Sequence, residues 1–487
     1  LEHIHPIFPV LASSKALVQS LLWRAPLGLQ NAFYNGFFSV MKHFSLDSGG
    51  QTDGDTVTTW RLLHEWEAER KPRSSATDLV RLQTLIMAMI SVDCVSIASA
   101  KGLLVPTKFD ILARAVGLGY SMGVHSRAID PNPNPEQDPN SDDNVALRSW
   151  WVLVMLDRWH ALGMAKPTMI VSDLIVPPPG LKHIVGETVF ALIRESLSIR
   201  CLLRLLTNST GASYVSNFIM PFLLKPPTDA SESRSLAILL SGITQMLSWV
   251  IPSENNHPVL NLAYWHLRAV AELLCPDREQ QRPPNLLQAT EKLTGLLATK
   301  HDLFSPVTHH FVAVAALGLI ELHRFANTRD EAARLTGEVL EYSMAPSAWN
   351  AAVRHKLTWY QARLQSATAD PGTTAAAAGQ NLQQLADLAS AVDGSATAAG
   401  SDAAAAAASG DAPPLQAALG AAATASRHGA APTNGGGVTA VATSDVKTEA
   451  GSVENRDDPL PALVDVRAVL RNGYLTWYDD PNDGGLA

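Results

Sequence analysis

Leu147 to Gly163 reads Leu-Arg-Ser-Trp-Trp-Val-Leu-Val-Met-Leu-Asp-Arg-Trp-His-Ala-Leu-Gly, a stretch with three tryptophans. Neighbours on an α-helix point about 100° apart, so Trp150 and Trp151 together cover a broad arc of its surface. A helix that is apolar over so wide an arc must be packed on more than one side, which requires a domain of several surrounding elements. Asp157 and Arg158 interrupt that surface. An uncompensated internal charge costs several kcal/mol, so each needs a partner if buried. The expectation is an internal ion-pair network that fixes helix register, ahead of a ligand pocket or a catalytic role.

The flanking sequence supplies helices to do the surrounding. Over 79–99, Leu82, Leu85, Ile86, Met89, Ile90 and Ile97 recur at the helical period. Thr107 and Asp110 have capping-box spacing ahead of Ile111, Leu112 and Val116, and that helix is expected to stop near Gly119 and Gly123. A Pro/Asn-rich surface loop follows, then Ser141 or Asp142 as cap of the tryptophan helix, which Lys166-Pro167 ends; Pro177-Pro178-Pro179 marks another break. Further helices are expected over 185–206, 233–250, 261–274, 284–297, 307–323, 332–341 and 348–366. Strand-like alternation is rare and no fixed repeat period occurs. The fold class is therefore all-α: an irregular multi-helix domain over 1–369 with at least eight helices.

Composition bounds what such a domain does. Of 487 residues, 46% are hydrophobic and 17% charged, enough to build a large core. The net charge of −9 sits mostly at the C-terminal end, where residues 371–487 hold 13 acidic and 5 basic side chains. The body is near neutral without a basic run, so it lacks the footprint of a phosphate-backbone binder. Cys94, Cys201 and Cys275 are scattered, giving no CxxC pair, no disulfide scaffold and no cysteine zinc cluster; a reducing compartment suits them. No run is expected to cross a bilayer, the best being about 17 residues over 304–320, and no membrane partner is expected. The first residues form no signal peptide. Leu1 is not an initiator methionine, and the chain is read as starting mid-protein.

From about Thr373 the composition shifts to Ala, Gly, Ser and Thr, with Ala403–Ala408 and Gly435–Gly437 as runs and no Phe, Trp or Tyr between Gln361 and Gly473. Residues 370–462 are expected to be a disordered low-complexity linker, with one short helix over 381–392. Residues 463–487 restore apolar groups as an acidic-aromatic segment. Its Tyr474, Trp477 and Tyr478, next to Asp479, Asp480 and Asp483, are candidate contacts for a coactivator, rings supplying contact and acids solubility; the alternative is an inert or locally packed tail.

Enzyme landmarks are scarce. No Walker loop, GxGxxG, GxSxG or HExxH occurs. Asp142-Asp143 superficially suggests the metal-binding aspartates of a terpenoid synthase, but lacks the further carboxylates and reads as a solvated N-cap. His309 and His310 are adjacent, not four apart, and so cannot chelate together from one helix face. His125 reads as a helix-end residue bonding a carbonyl. No catalytic residue and no metal ligand is assigned.

Four fragments, in order, resemble the regulatory (middle homology) region of fungal binuclear zinc cluster transcription factors. His5-Pro6-Ile7-Phe8-Pro9-Val10-Leu11 is similar to the family's His-Pro-x-Phe-Pro-(Ile/Leu) opening. Ile111 to His125, with Gly123 and His125 near its end, resembles its helix ending Leu-Gly-Leu-His. Arg148-Ser-Trp150-Trp151 through Asp157-Arg158 resembles Arg-Arg-x-Trp-Trp-x-x-(Tyr/Phe)-x-x-Asp-Arg. Lys166-Pro167, Ile170, Asp173 and Pro177 resemble Gly-Arg-Pro-x-x-Ile-x-Asp-x-Asp-(Ile/Val)-x-x-Pro. Leu147 stands where the family has the first arginine, and Ala165-Lys166 where it has Gly-Arg.

The resemblance implies the regulatory region of a nuclear transcription factor controlling RNA polymerase II transcription. Zinc and DNA would be bound by a six-cysteine cluster upstream of Leu1; this chain would hold no cofactor. Its implied partners are DNA through that upstream domain and transcriptional coregulators, with a homodimer and a small-molecule effector left open. The matching residues carry over as scaffold residues. The alternatives are a helical interaction scaffold without DNA binding and a helical enzyme.

Overall fold

The computed structural model describes residues 7–43, 53–69, 73–94, 106–128, 138–171, 177–178, 180–206, 242, 245, 257–274, 282–299, 307–341, 348–368 and 463–479. Among these residues the protein is all-α, a multi-helix body without a strand. The expected linker over 370–462 and the helix over 381–392 lie outside the described residues, as does nearly all of 233–250.

The first group of helices is α1 (Lys15–Trp23), α2 (Leu27–His43), α3 (Asp53–Ala68), α4 (Ser75–Cys94) and α5 (Lys108–Ser121). α2 packs on α3 and α4, and α4 packs on α5. Leu79, Leu82, Leu85, Ile86, Met89 and Ile90 of α4 are buried together, as their period requires. Residues 75–92 are, against expectation, long and apolar enough to cross a membrane, yet 78% of that window is buried among the other helices. Such a helix is what the centre of a large helical domain looks like. Glu67 ties α3 to Arg81 of α4 at 2.6 Å and also to Arg114 of α5. None of α1 to α3 was evident from periodicity, because Thr, Gly and exposed apolar groups blur it.

The capping box of α5 forms. The Thr107 hydroxyl accepts from the Asp110 N–H (3.3 Å) and the Asp110 carboxylate from the Thr107 N–H (3.1 Å). Gly119 does not stop this helix. It is a notch for Trp150: a Cβ there would lie 2.7 Å from the indole Cε3. The turn is made at Gly123, at φ +68°, which leads into the single turn α6 (Val124–Arg127).

α7 (Asp142–Met164) is capped by Ser141, whose hydroxyl accepts from the Asn144 N–H. Asn144 to Gly163 are all buried, with Trp150, Trp151 and Trp159 at 1% exposure or less. The helix packs on α4, α5 and α6 and on α9 (Glu187–Leu206). The expected helix over 185–206 forms as α9; the short α8 (Leu181–Val185) precedes it and stops at Gly186, at φ +86°.

The second group is α10 (Pro258–Leu274), α11 (Arg282–Thr299), α12 (Thr308–Leu322), α13 (Arg329–Glu341) and α14 (Ala348–Thr368), close to the expected spans. α12 is buried on every side, like α7. Beyond it α15 (Val466–Asn472) and α16 (Tyr474–Asp479) return to the body, packing on α7, α10 and α12.

Candidate functional site

The family-like residues on α7 act on the chain around them. Arg148 is 4% exposed and donates to two carbonyls, Leu11 O and Pro139 O, each at 3.0 Å. Burial pulls its guanidinium down to about 10, still charged at neutral pH. Gln83 donates to Val10 O at 2.6 Å. The opening segment is thus tied down with Ile7, Phe8, Pro9, Val10 and Leu11 buried. His5 and Pro6 lie outside the described residues.

Asp157 is where the expected ion pair is corrected. Its two carboxylate oxygens accept from the backbone N–H groups of Met169 and Ile170, both at 3.0 Å, and among the described residues it makes no salt bridge. These two bonds staple the turn after α7 to the helix. Burial outweighs these bonds and pushes its carboxyl up to about 6. Arg158 is 1% exposed beside it. Among the described residues His125 bonds no carbonyl; its ring lies 4.7 Å from Tyr120 and 6.2 Å from Trp150, and its Nε2 is 3.1 Å from Ser126 Oγ. Pro167 is exposed just past α7, and Asp173 lies outside the described residues.

Ala165 caps α7 at φ +47°, the left-handed conformation that favours glycine. An L-residue pays about 1–2 kcal/mol there, and glycine gives back about 0.5–1 kcal/mol through its freer unfolded chain. Ala165→Gly is therefore expected to stabilise the protein by about 0.5–1 kcal/mol, seen as a higher urea midpoint at constant m-value. An unchanged or lower midpoint contradicts that cap strain.

At the far end of α7 the C-terminal segment has a built seat. Tyr474 is fully buried, and its hydroxyl lies 2.7 Å from His310 Nδ1 and 3.2 Å from His266 Nε2. A phenol donates once and accepts once, so one imidazole receives its proton while the other gives an N–H. Trp159 lies 5.0 Å from His266 and 5.5 Å from His310, with Phe311 closing the cluster. Tyr478 donates to Ala313 O at 2.7 Å, and Lys356 lies 5.1 Å from the Trp477 ring centre. Leu475 fills the notch at Gly163, where a Cβ would sit 2.5 Å from its Cδ1. Gly473, at φ +92°, passes over the Met164 backbone, where a Cβ would come within 2.5 Å.

Of the two expectations for Tyr474, Trp477 and Tyr478, the packing here is that of a tail seated on its own body. All three are at most 6% exposed. Their rings point inward because Val466, Val469, Leu470, Tyr474, Leu475 and Tyr478 make one continuous apolar surface across two short helices. That pattern was readable in the sequence; the groove receiving it was not.

Burial holds His266 and His160 down at about 3 and His309 and His310 well below the ordinary range, with the cations Lys108 and Lys166 near His160 adding to the effect there. These imidazoles are neutral at physiological pH. Glu195 of α9, 1% exposed, has its carboxyl raised well above the usual range by desolvation. Sequence reasoning missed both His266 and Glu195, because each shares its helix with other polar residues and only packing marks it as the buried one. Among the described residues no group of three or more His, Cys, Asp or Glu is placed to hold a metal ion.

The chain is 25% identical over 335 residues to a Schizosaccharomyces pombe protein described as an uncharacterized transcriptional regulatory protein. This chain is similar to a fungal transcription regulator. The match covers 68% of this chain and 36% of that protein, so the chain spans about a third of its relative's length. No protein-family model matches the chain, and no solved structure does.

Proposed function

We propose that this chain is the helical regulatory region of a fungal zinc-cluster transcription factor in the nucleus, whose DNA-binding cluster lies upstream. The observation that carries the reading is the match over two thirds of the chain to a transcriptional regulatory protein. The docking of α15 and α16 supports a mechanism in which the body holds or releases its C-terminal aromatic segment. Held, the rings of Tyr474, Trp477 and Tyr478 are out of reach; released by a small-molecule effector or a partner, they become a surface for coregulators.

The test is the whole chain fused to an unrelated DNA-binding domain upstream of a reporter in yeast. The fusion is expected to change reporter output relative to the DNA-binding domain alone, and Tyr474→Ala, which loosens the segment, to change it again by several-fold. Matched expression with no change of either sign sinks the transcriptional reading. A reporter effect that Tyr474→Ala leaves untouched sinks only the hold-and-release mechanism.

A further inference from the structure

At the C-terminal end of α7 four helices bring aromatic rings and cations together. His160 of α7 and His309 of α12 are 7 and 8% exposed, whereas His266 and His310 of the same cluster are sealed at 0%. Phe109 of α5, 39% exposed, has its ring 6.3 Å from that of His160. Half-buried Trp349 of α14 stacks on His309, with the ring centres 5.2 Å apart and the planes at 20°. Two lysines stand by these rings. Lys108 opens α5, and Lys166, exposed just past α7, carries its ammonium 5.2 Å from the Phe109 ring centre.

We propose that this corner binds a small aromatic carboxylate, its acid group paired by Lys108 and Lys166 and its ring lying among Phe109, His160, His309 and Trp349. Charge, hydrogen bonding and ring packing each support that class of ligand.

The charged side chains that act on His160, His309 and His310 are Lys108 and Lys166, and both oppose protonation of the rings they face. Two cations beside neutral rings at a low-dielectric wall favour an anion. Asp110, the acid nearest to Lys108 in sequence, spends its carboxylate on the Thr107 N–H and hydroxyl. Lys166 makes no ion pair among the described residues and rests on the Phe109 face instead.

His160 Nε2 and His309 Nε2 are both buried, and neither has a hydrogen-bond partner among the described residues. A neutral imidazole has one N–H to give, so each ring can donate to a carboxylate oxygen. Such a bond offsets the cost of burying an unpaired polar atom. A bare inorganic ion would leave the exposed Phe109 uncovered. A ring carried on the anion covers it, and offset or edge packing among aromatic rings adds to the gain.

The corner also adjoins the seat of the C-terminal segment. The His309 ring lies 4.3 Å from that of His310, whose Nδ1 is 2.7 Å from the Tyr474 hydroxyl. Under the hold-and-release reading a ligand here is an effector one ring away from Tyr474. Binding itself does not rest on that reading.

The experiment is isothermal titration of the 487-residue chain with benzoate at neutral pH and fixed ionic strength. Benzyl alcohol, the ring without the charge, and acetate, the charge without the ring, are titrated beside it. Benzoate is expected to bind with a Kd of about 1 mM or tighter, and each comparator at least about 10-fold more weakly. Lys108→Gln/Lys166→Gln is expected to weaken benzoate binding by about 10-fold or more, with an unchanged circular dichroism spectrum. No saturable benzoate binding up to about 20 mM, a comparator that binds as well, or a folded variant that binds as well overturns the proposal. Should the double variant lose its fold, Lys166→Gln alone decides, because that side chain is exposed. A several-fold loss of benzoate affinity then supports the site, and an unchanged affinity overturns it. No reporter enters the measurement, so its failure leaves the transcriptional reading standing.

Discussion

Tyr474→Ala is expected to cost about 4 kcal/mol, as for other large aromatic truncations in a core. The ring is fully buried, and its loss leaves a cavity between α7, α10 and α12 and strips His310 Nδ1 and His266 Nε2 of their shared hydroxyl. Marginal stabilities of about 5–15 kcal/mol make that a large fraction of the total. Tyr474→Phe keeps the ring and removes only the hydroxyl, so it should cost about 2 kcal/mol, mostly from leaving the buried nitrogens unpaired. Urea unfolding of the two variants checks this. Equal effects would mean that the hydrogen bonds dominate; a near-zero effect of the alanine would show that the segment is not seated in solution. Because α15 and α16 dock across a long intervening chain, the alanine should also make that segment sensitive to proteolysis before the body unfolds.

Acidification should destabilise the protein steeply. His160, His266 and His323 are held at about 3, 3 and 4, and His309 and His310 well below their ordinary 6.5, so five imidazoles stay neutral in the folded body but gain protons in the unfolded chain below 6.5. For groups with depressed folded values, stability is full above 6.5 and is lost as pH falls toward 3. Each such proton is worth about 1 kcal/mol per pH unit across that window. The groups facing them worsen matters: Lys108 and Lys166 act on His160, Arg329 on His323, and the cluster members on one another. Two buried acids oppose the trend. Asp157, raised to about 6, and Glu195, raised well above its ordinary value by desolvation, favour the folded state once protonated, so they recover some stability as pH falls. The balance is several protons to the unfolded chain. Urea midpoints should therefore drop sharply between about pH 6.5 and pH 5, and a flat profile there would contradict the burial of the histidine cluster.

Helix type and order were legible because they are local. Thr107 with Asp110 caps α5 as its spacing demands, Ser141 caps α7, and apolar periods placed α4, α10, α11, α12, α13 and α14 to within a few residues. The all-round apolar surface of α7 announced its burial before any neighbour was known.

What each polar group does with its burial depends on distant neighbours, and these are tertiary matters. Asp157 accepts from the Met169 and Ile170 amides because the turn after α7 folds back within 3.0 Å. Gly119 reads as a helix stop until Trp150 is seen to need its missing side chain. The acidic-aromatic end reads as a free ligand for some other protein because periodicity reports an apolar face but not the surface that will cover it. That surface is made jointly by Gly163, His266 and His310, from three helices far apart in sequence. Sequence alone determined that this chain is a helical body around one tryptophan helix. Only packing decided that its last aromatics belong to that body, since complementarity between distant surfaces leaves no local mark.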